Sequence, residues 1–171
     1  NTSSPLFFLM QDIQSYNKLT KKPRSFFQEK LEFVEVPAQS RLSILAACED
    51  PRTISTFAFG GIQYPLPQTG QMVLEEVLLK NPDVEGVFCV TTSYRNEPNP
   101  VKGRHDLIFP MFEFEGKGNF EELKNTEMEL LEHLGFNFPF SIKYDDSCKK
   151  YNVEVLEAEH ETQMQKDYGD S

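Results

Sequence analysis

The chain has 171 residues, 39% of them hydrophobic and 26% charged, with a formal net charge of −10. That length fits one domain with a real core, and the acidic balance excludes broad non-specific nucleic-acid binding, which needs clustered Lys and Arg. No apolar run reaches the ~18–20 residues of a membrane span, and the three cysteines, Cys48, Cys89 and Cys148, make neither a CxxC pair nor a disulfide framework, so a cytoplasmic protein with reduced thiols is expected.

The first residues, Asn-Thr-Ser-Ser-Pro, carry no basic lead, so no signal peptide is expected. Residues 11–32 read as a helix through Ile13, Tyr16, Leu19, Phe26, Phe27 and Leu31, with Pro23 as an irregularity. A short β-like run at 33–36 is closed by Pro37. Residues 42–48 are apolar, 53–59 alternate as a strand does, and 63–68, with two prolines, reads as extended. Residues 70–80 predict a helix with Met72, Val73, Leu74, Val77, Leu78 and Leu79 facing inward. Strand-like runs follow at 87–94 and 108–115, joined by a loop rich in Asn, Pro, Gly, Lys and Arg. Residues 119–135 give the clearest helix, capped by Asn119, striped with Phe120, Leu123, Leu130, Leu131 and Leu134, and ended by Gly135. An extended link at 136–142, a short helix at 144–151, a short strand at 153–156 and a polar helix at 158–167 complete the chain. Strands mixed with helices, without regular βαβ alternation, predict an antiparallel or mixed α+β domain.

The hairpin carries the chemistry. Arg95 closes the first strand, and its planar fork of donors suits a phosphate. Glu97 can accept from an exocyclic amine, Arg104 and His105 can hold outer phosphates, and Phe109 can stack on a base. Composition alone favours the plainer alternative, a surface hairpin with solvated charges and Phe109 in the core. His133 and His160 lack partners at metal-ligand spacing, so no metal site is expected. The acids of 154–170 read as a solvated face.

Arg-x-Glu, a short loop, Arg-His, then Phe and a closing acidic strand resemble motif 2 of class II aminoacyl-tRNA synthetases. The nearest pattern is the aspartyl and asparaginyl subgroup, with its related asparagine synthetases. Arg104-His-Asp-Leu-Ile-Phe-Pro-Met-Phe-Glu-Phe-Glu115 fits that subgroup's Arg-His-x-x-x-Phe-x-Met-x-Glu-x-Glu. Gln68-Thr-Gly-Gln-Met-Val-Leu-Glu75 resembles the Ser-Gly-Gln-x-x-x-Glu segment of asparaginyl enzymes. The helix leading into Leu31-Glu-Phe-Val-Glu-Val-Pro37 is similar to motif 1, the dimer-forming helix and strand. The resemblance covers nearly the whole chain, with motif 1 at about 11–37 and motif 2 at about 86–115. Ile108 departs from it, standing where an acidic residue is usual before the stacking Phe.

The resemblance implies an α+β core whose antiparallel sheet is flanked by helices, and a homodimer. It implies ATP-dependent activation of asparagine or aspartate, with Mg²⁺ bridging the phosphates and tRNA as one candidate acceptor. Arg95 would contact the α-phosphate and stabilise its developing charge. Glu97 would hold the adenine amine, Phe109 would stack beneath the ring, and Arg104 with His105 would steer the β- and γ-phosphates. Gln71 and Glu113 would hold the ammonium of the amino acid. Glu75 would read its side chain, and Glu49 would be a further substrate contact. Leu74 stands where aspartyl enzymes carry a lysine, which with Met111 and Glu113 favours asparagine. Motif 3 and its acidic metal ligands have no counterpart in these residues, nor does an anticodon-binding domain. The chain is therefore expected to be the N-terminal part of the catalytic domain. Two other functions fit the same residues: an ammonia-dependent asparagine synthetase, and a non-catalytic paralogue that dimerises or binds a ligand.

Overall fold

The computed structural model describes residues 13–37, 51–102, 105–136, 141–156 and 158–168. The chain forms two compact units, one ending at Asn119 and one beginning at Phe120.

The first unit opens with α1 (Ile13–Ser25), which runs directly into a π-helical turn at Phe26–Lys30. The wider turn is closed by Leu31 N–H donating to the Phe26 carbonyl at 3.2 Å, and it leaves the adjacent Phe26 and Phe27 both fully buried. Pro23 lies inside α1, where it withholds a backbone donor shortly before the helix widens. Next come β1 (Val34–Glu35), a 3₁₀ turn (Pro51–Thr53), and β2 (Thr56–Phe59) paired antiparallel with β3 (Ile62–Pro65). Then follow α2 (Gln71–Lys80), β4 (Gly86–Tyr94) and β5 (Ile108–Gly116). The main sheet has the order β1-β4-β5. It is mixed: β1 runs parallel to β4, and β4 pairs antiparallel with β5 from Gly86↔Gly116 to Tyr94↔Ile108.

Period-two alternation divides the sheet's side chains between two faces. One face is phenylalanine. The Phe27 ring lies 4.7–5.7 Å from those of Phe26, Phe33, Phe88, Phe112 and Phe114. Gly86 is there because Phe33 is: a Cβ on Gly86 would stand 2.2 Å from the Phe33 ring. The opposite face meets α2, where buried Leu74 packs with Val87 and Cys89. Leu79, expected inward, is exposed. One helix in contact with one sheet can bury only a stripe, and Leu79 falls outside it.

In the second unit, α3 (Phe120–Leu134) has no fully buried residue. Leu130, Leu131 and Leu134 are half-buried, whereas Phe120 and Leu123, expected in the same stripe, are exposed. Residues 137–140 of the expected link lie outside the described residues. α4 (Tyr144–Tyr151) ends at left-handed Asn152. Residues 153–156 are not a strand. Their β-branched residues find no strand partner; instead Val153 N–H bonds the Cys148 carbonyl and Leu156 N–H bonds the Tyr144 hydroxyl, both at 3.0 Å. α5 (Ala158–Tyr168) is tied to α4 through Lys150–Asp167 at 3.0 Å. His160 sets its ring 6.3 Å from Tyr151, a packing contact. Among the described residues no helix is long and apolar enough to cross a membrane.

Candidate functional site

The α2-facing side of the hairpin presents Phe109, Met111, Glu113 and Glu115 from β5, with Thr91 and Ser93 from β4. Arg95 continues that face just past the strand end. Its backbone is fastened by N–H bonds on either side: Tyr94 to the Pro67 carbonyl (2.8 Å), Arg95 to Leu107 (2.8 Å) and Asn96 to Thr53 (2.9 Å). The Arg95 guanidinium carbon lies 5.7 Å from the Phe109 ring centroid, so the expected phosphate ligand and the expected base platform are neighbours. Phe109 is half-buried rather than sealed in the core.

Glu97 and His105, given separate tasks by the sequence, meet each other: His105 Nδ1 is 2.8 Å from Glu97 Oε2. The Val101 N–H also points at Nδ1 from 3.3 Å. One ring nitrogen can donate to Glu97 or accept from Val101, not both at once. Arg104 and Glu49 lie outside the described residues.

At the other end of the face, Glu113 is pinned to the entry of α2. The Gly70 N–H donates to Glu113 Oε2 at 2.7 Å, and the Thr69 hydroxyl donates to Oε1. Thr69 Oγ1 also accepts from the Gln71 N–H at 3.1 Å. Gln71 and Glu75 lie on the exposed side of α2 and come to the same place. Burial first, then the Glu75 charge, push the Glu115 carboxyl above its usual range; a hydrogen bond from Gln71 opposes this, and Glu113 adds to it. Gln71, Glu75, Glu113 and Glu115 are therefore neighbours, an acidic cluster with an amide at its edge. Leu74 turns away from it into the core. Cys89 lies beneath, its thiol pushed up to about 12 by burial, then by Glu113 and Glu35.

The sequence reading missed Ser93, Thr69 and Glu115 as parts of this site. The signal for two of them was present: Ser93 precedes Arg95 by two, and Glu115 follows Glu113 by two, so strand alternation puts each pair on one face.

No protein-family model matches the sequence, and no curated protein does. Solved structures do. Asparaginyl-tRNA synthetase from Pyrococcus horikoshii, complexed with asparaginyl-adenylate, superposes with a TM-score of 0.71 at 20% identity, over 89% of this chain and 41% of that one. The Entamoeba histolytica asparaginyl-tRNA synthetase in complex with asparaginyl-adenylate gives 0.71 at 19% identity, over 92% and 41%. A further structure of the Entamoeba enzyme gives 0.72 at 19% identity, over 92% and 42%. This chain has the fold of a class II aminoacyl-tRNA synthetase core. The class II core here spans about two fifths of the length of the structures it matches, as their coverage of 41–42% states.

Proposed function

We propose that the complete protein condenses asparagine with ATP to form an aminoacyl adenylate, releasing pyrophosphate. The observation that carries this reading is the placement of Arg95 beside Phe109 at one end of a sheet face and of Glu113, Glu115, Glu75 and Gln71 at the other. Phe109 and Glu113 are four residues apart on β5, which at the rise of a strand is about 13 Å. An aminoacyl adenylate fits that span, with its purine on the ring, its phosphate at the guanidinium and its ammonium among the carboxylates. Support for the ligand class comes from two asparaginyl-tRNA synthetase structures of this fold, both in complex with asparaginyl-adenylate.

The chemistry follows from charge. A carboxylate oxygen of the amino acid attacks the α-phosphorus, the bond to the bridging oxygen of pyrophosphate breaks, and negative charge builds on the equatorial oxygens. Arg95 opposes that charge with donors already in place. Glu97 takes the adenine amine in exchange for His105, which turns to the outer phosphates with Arg104. Glu75 accepts from the substrate amide. Three neighbouring carboxylates, Glu75, Glu113 and Glu115, attract an ammonium and repel a second substrate carboxylate, which favours asparagine over aspartate. The tasks given to this chain's residues are binding and charge stabilisation; among the described residues no group of three or more His, Cys, Asp or Glu is arranged to hold a metal ion. A homodimer built through α1 and β1, and tRNA as acceptor, belong to the same proposal.

The test is amino-acid-dependent ATP–pyrophosphate exchange by the full-length protein. Exchange stimulated by asparagine is expected, with Arg95→Ala lowering it by about 100-fold or more while leaving the fold intact. No exchange with any amino acid, or full exchange by the variant, overturns the reading.

A further inference from the structure

Arg95 has to hold its guanidinium still against a phosphate, yet a long side chain at the end of a strand has several rotatable bonds to fix. The structure contains a device that does this. Ser93 is fully buried beneath it. The Ser93 hydroxyl donates to the main-chain carbonyl of Gln68 at 2.7 Å, which fixes the direction of its proton. With that proton committed, the oxygen accepts from Arg95 Nε–H at 3.3 Å. Gln68 is itself locked, because its side-chain nitrogen donates to Thr53 Oγ1 at 2.7 Å. The locking has a cost: Gln68 Oε1 is buried without a hydrogen-bond partner among the described residues. A fully buried glutamine kept at that cost marks a place where positioning outweighs stability.

Resting on the nucleotide reading above, we infer that Ser93 is a positioning residue for Arg95, and that the chain Thr53–Gln68–Ser93 sets the edge of the guanidinium that faces the phosphate. A guanidinium can grip an oxyanion side-on, through Nε and one terminal nitrogen, or end-on, through both terminal nitrogens. Ser93 engages Nε. The α-phosphate is therefore held end-on, through Nη1 and Nη2. Arg95→Lys cannot substitute at such a site, since it lacks both the Nε donor for Ser93 and the fork for phosphate.

The experiment compares wild type, Ser93→Ala and Ser93→Cys in the full-length protein. Calorimetric affinities for ATP and for adenosine are measured, with the exchange rate of the Arg95 Nε proton followed by NMR in the absence of nucleotide. Serine and cysteine are close in size, so the cysteine variant keeps the packing while weakening the acceptor. Both variants are expected to lose ATP affinity by about three- to tenfold, to keep adenosine affinity, and to exchange the Arg95 Nε proton faster. ATP affinity unchanged in both variants, or equal losses for ATP and adenosine, overturns the inference while leaving the nucleotide reading in place. Wild type that fails to bind ATP overturns the nucleotide reading, and this inference with it.

Discussion

Gly70 stands at the entry of α2, close against the sheet, and alanine there tests the acidic cluster from below. Its φ of −90° and ψ of −5° suit any residue, so the substitution carries no backbone strain. The obstacle is space: a Cβ would lie 2.8 Å from Cys89 Sγ, 2.9 Å from Glu113 Oε2 and 3.6 Å from Thr91 Cγ2. Cys89 is fully buried and cannot yield. Glu113 can yield only by giving up its 2.7 Å bond from the Gly70 N–H and its bond from Thr69. Overpacking costs about 1–3 kcal/mol and hydrogen bonds to a charged group about 1.5–3 kcal/mol when lost. Part of the first is relieved by taking the second, so Gly70→Ala is expected to destabilise the fold by about 2–4 kcal/mol. Urea denaturation measures it. Adding Cys89→Ala removes one of the two obstacles, so the double variant should recover part of the loss, a non-additivity expected of groups in contact. A Gly70→Ala protein within about 0.5 kcal/mol of wild type, the range of an ordinary surface change, refutes the reasoning.

Phe27→Ala removes the ring on which the phenylalanine face converges, and should cost about 3–5 kcal/mol in urea denaturation; a loss below about 1 kcal/mol would be that of a peripheral side chain. Glu115 has a folded pKa above its usual 4.5. Its contribution to stability is thus fully present below pH 4.5 and lost as pH rises through the folded value. Glu115→Gln should then match wild type near pH 4 and exceed it at pH 7–8, read from urea midpoints across about pH 4–8; a difference constant with pH contradicts the cause assigned. Burial and neighbouring carboxylates hold the Cys89 proton on. Alkylation of the native protein at about pH 8 should spare it, and unfolding should expose it to reaction; labelling of native Cys89 read by peptide mass spectrometry would show that the thiol is accessible.

Much of this was legible because a strand's period is two. The runs at 87–94 and 108–115 fix which side chains share a face, and the register Ser93↔Phe109 and Cys89↔Glu113 follows from one hairpin. The Phe26–Phe27 pair was not legible in detail: two adjacent residues buried together need a widened turn, and no local pattern announces one. Phe120 and Leu79 fit a helical stripe yet are exposed, because periodicity states which residues could be covered and not how wide the covering is. Residues 153–156 are β-formers by composition, but a strand requires a partner and none comes among the described residues. In the loop the sequence supplied the right residue types without their distances, so the meeting of Glu97 with His105 had no signal at all.

The most direct measurement is a crystal structure of the full-length protein with a non-hydrolysable analogue of asparaginyl adenylate. The purine is expected against Phe109, the phosphate mimic at the terminal nitrogens of Arg95 and the ammonium between Gln71 and Glu113. An analogue that fails to bind, or that binds away from this face of the sheet, contradicts it.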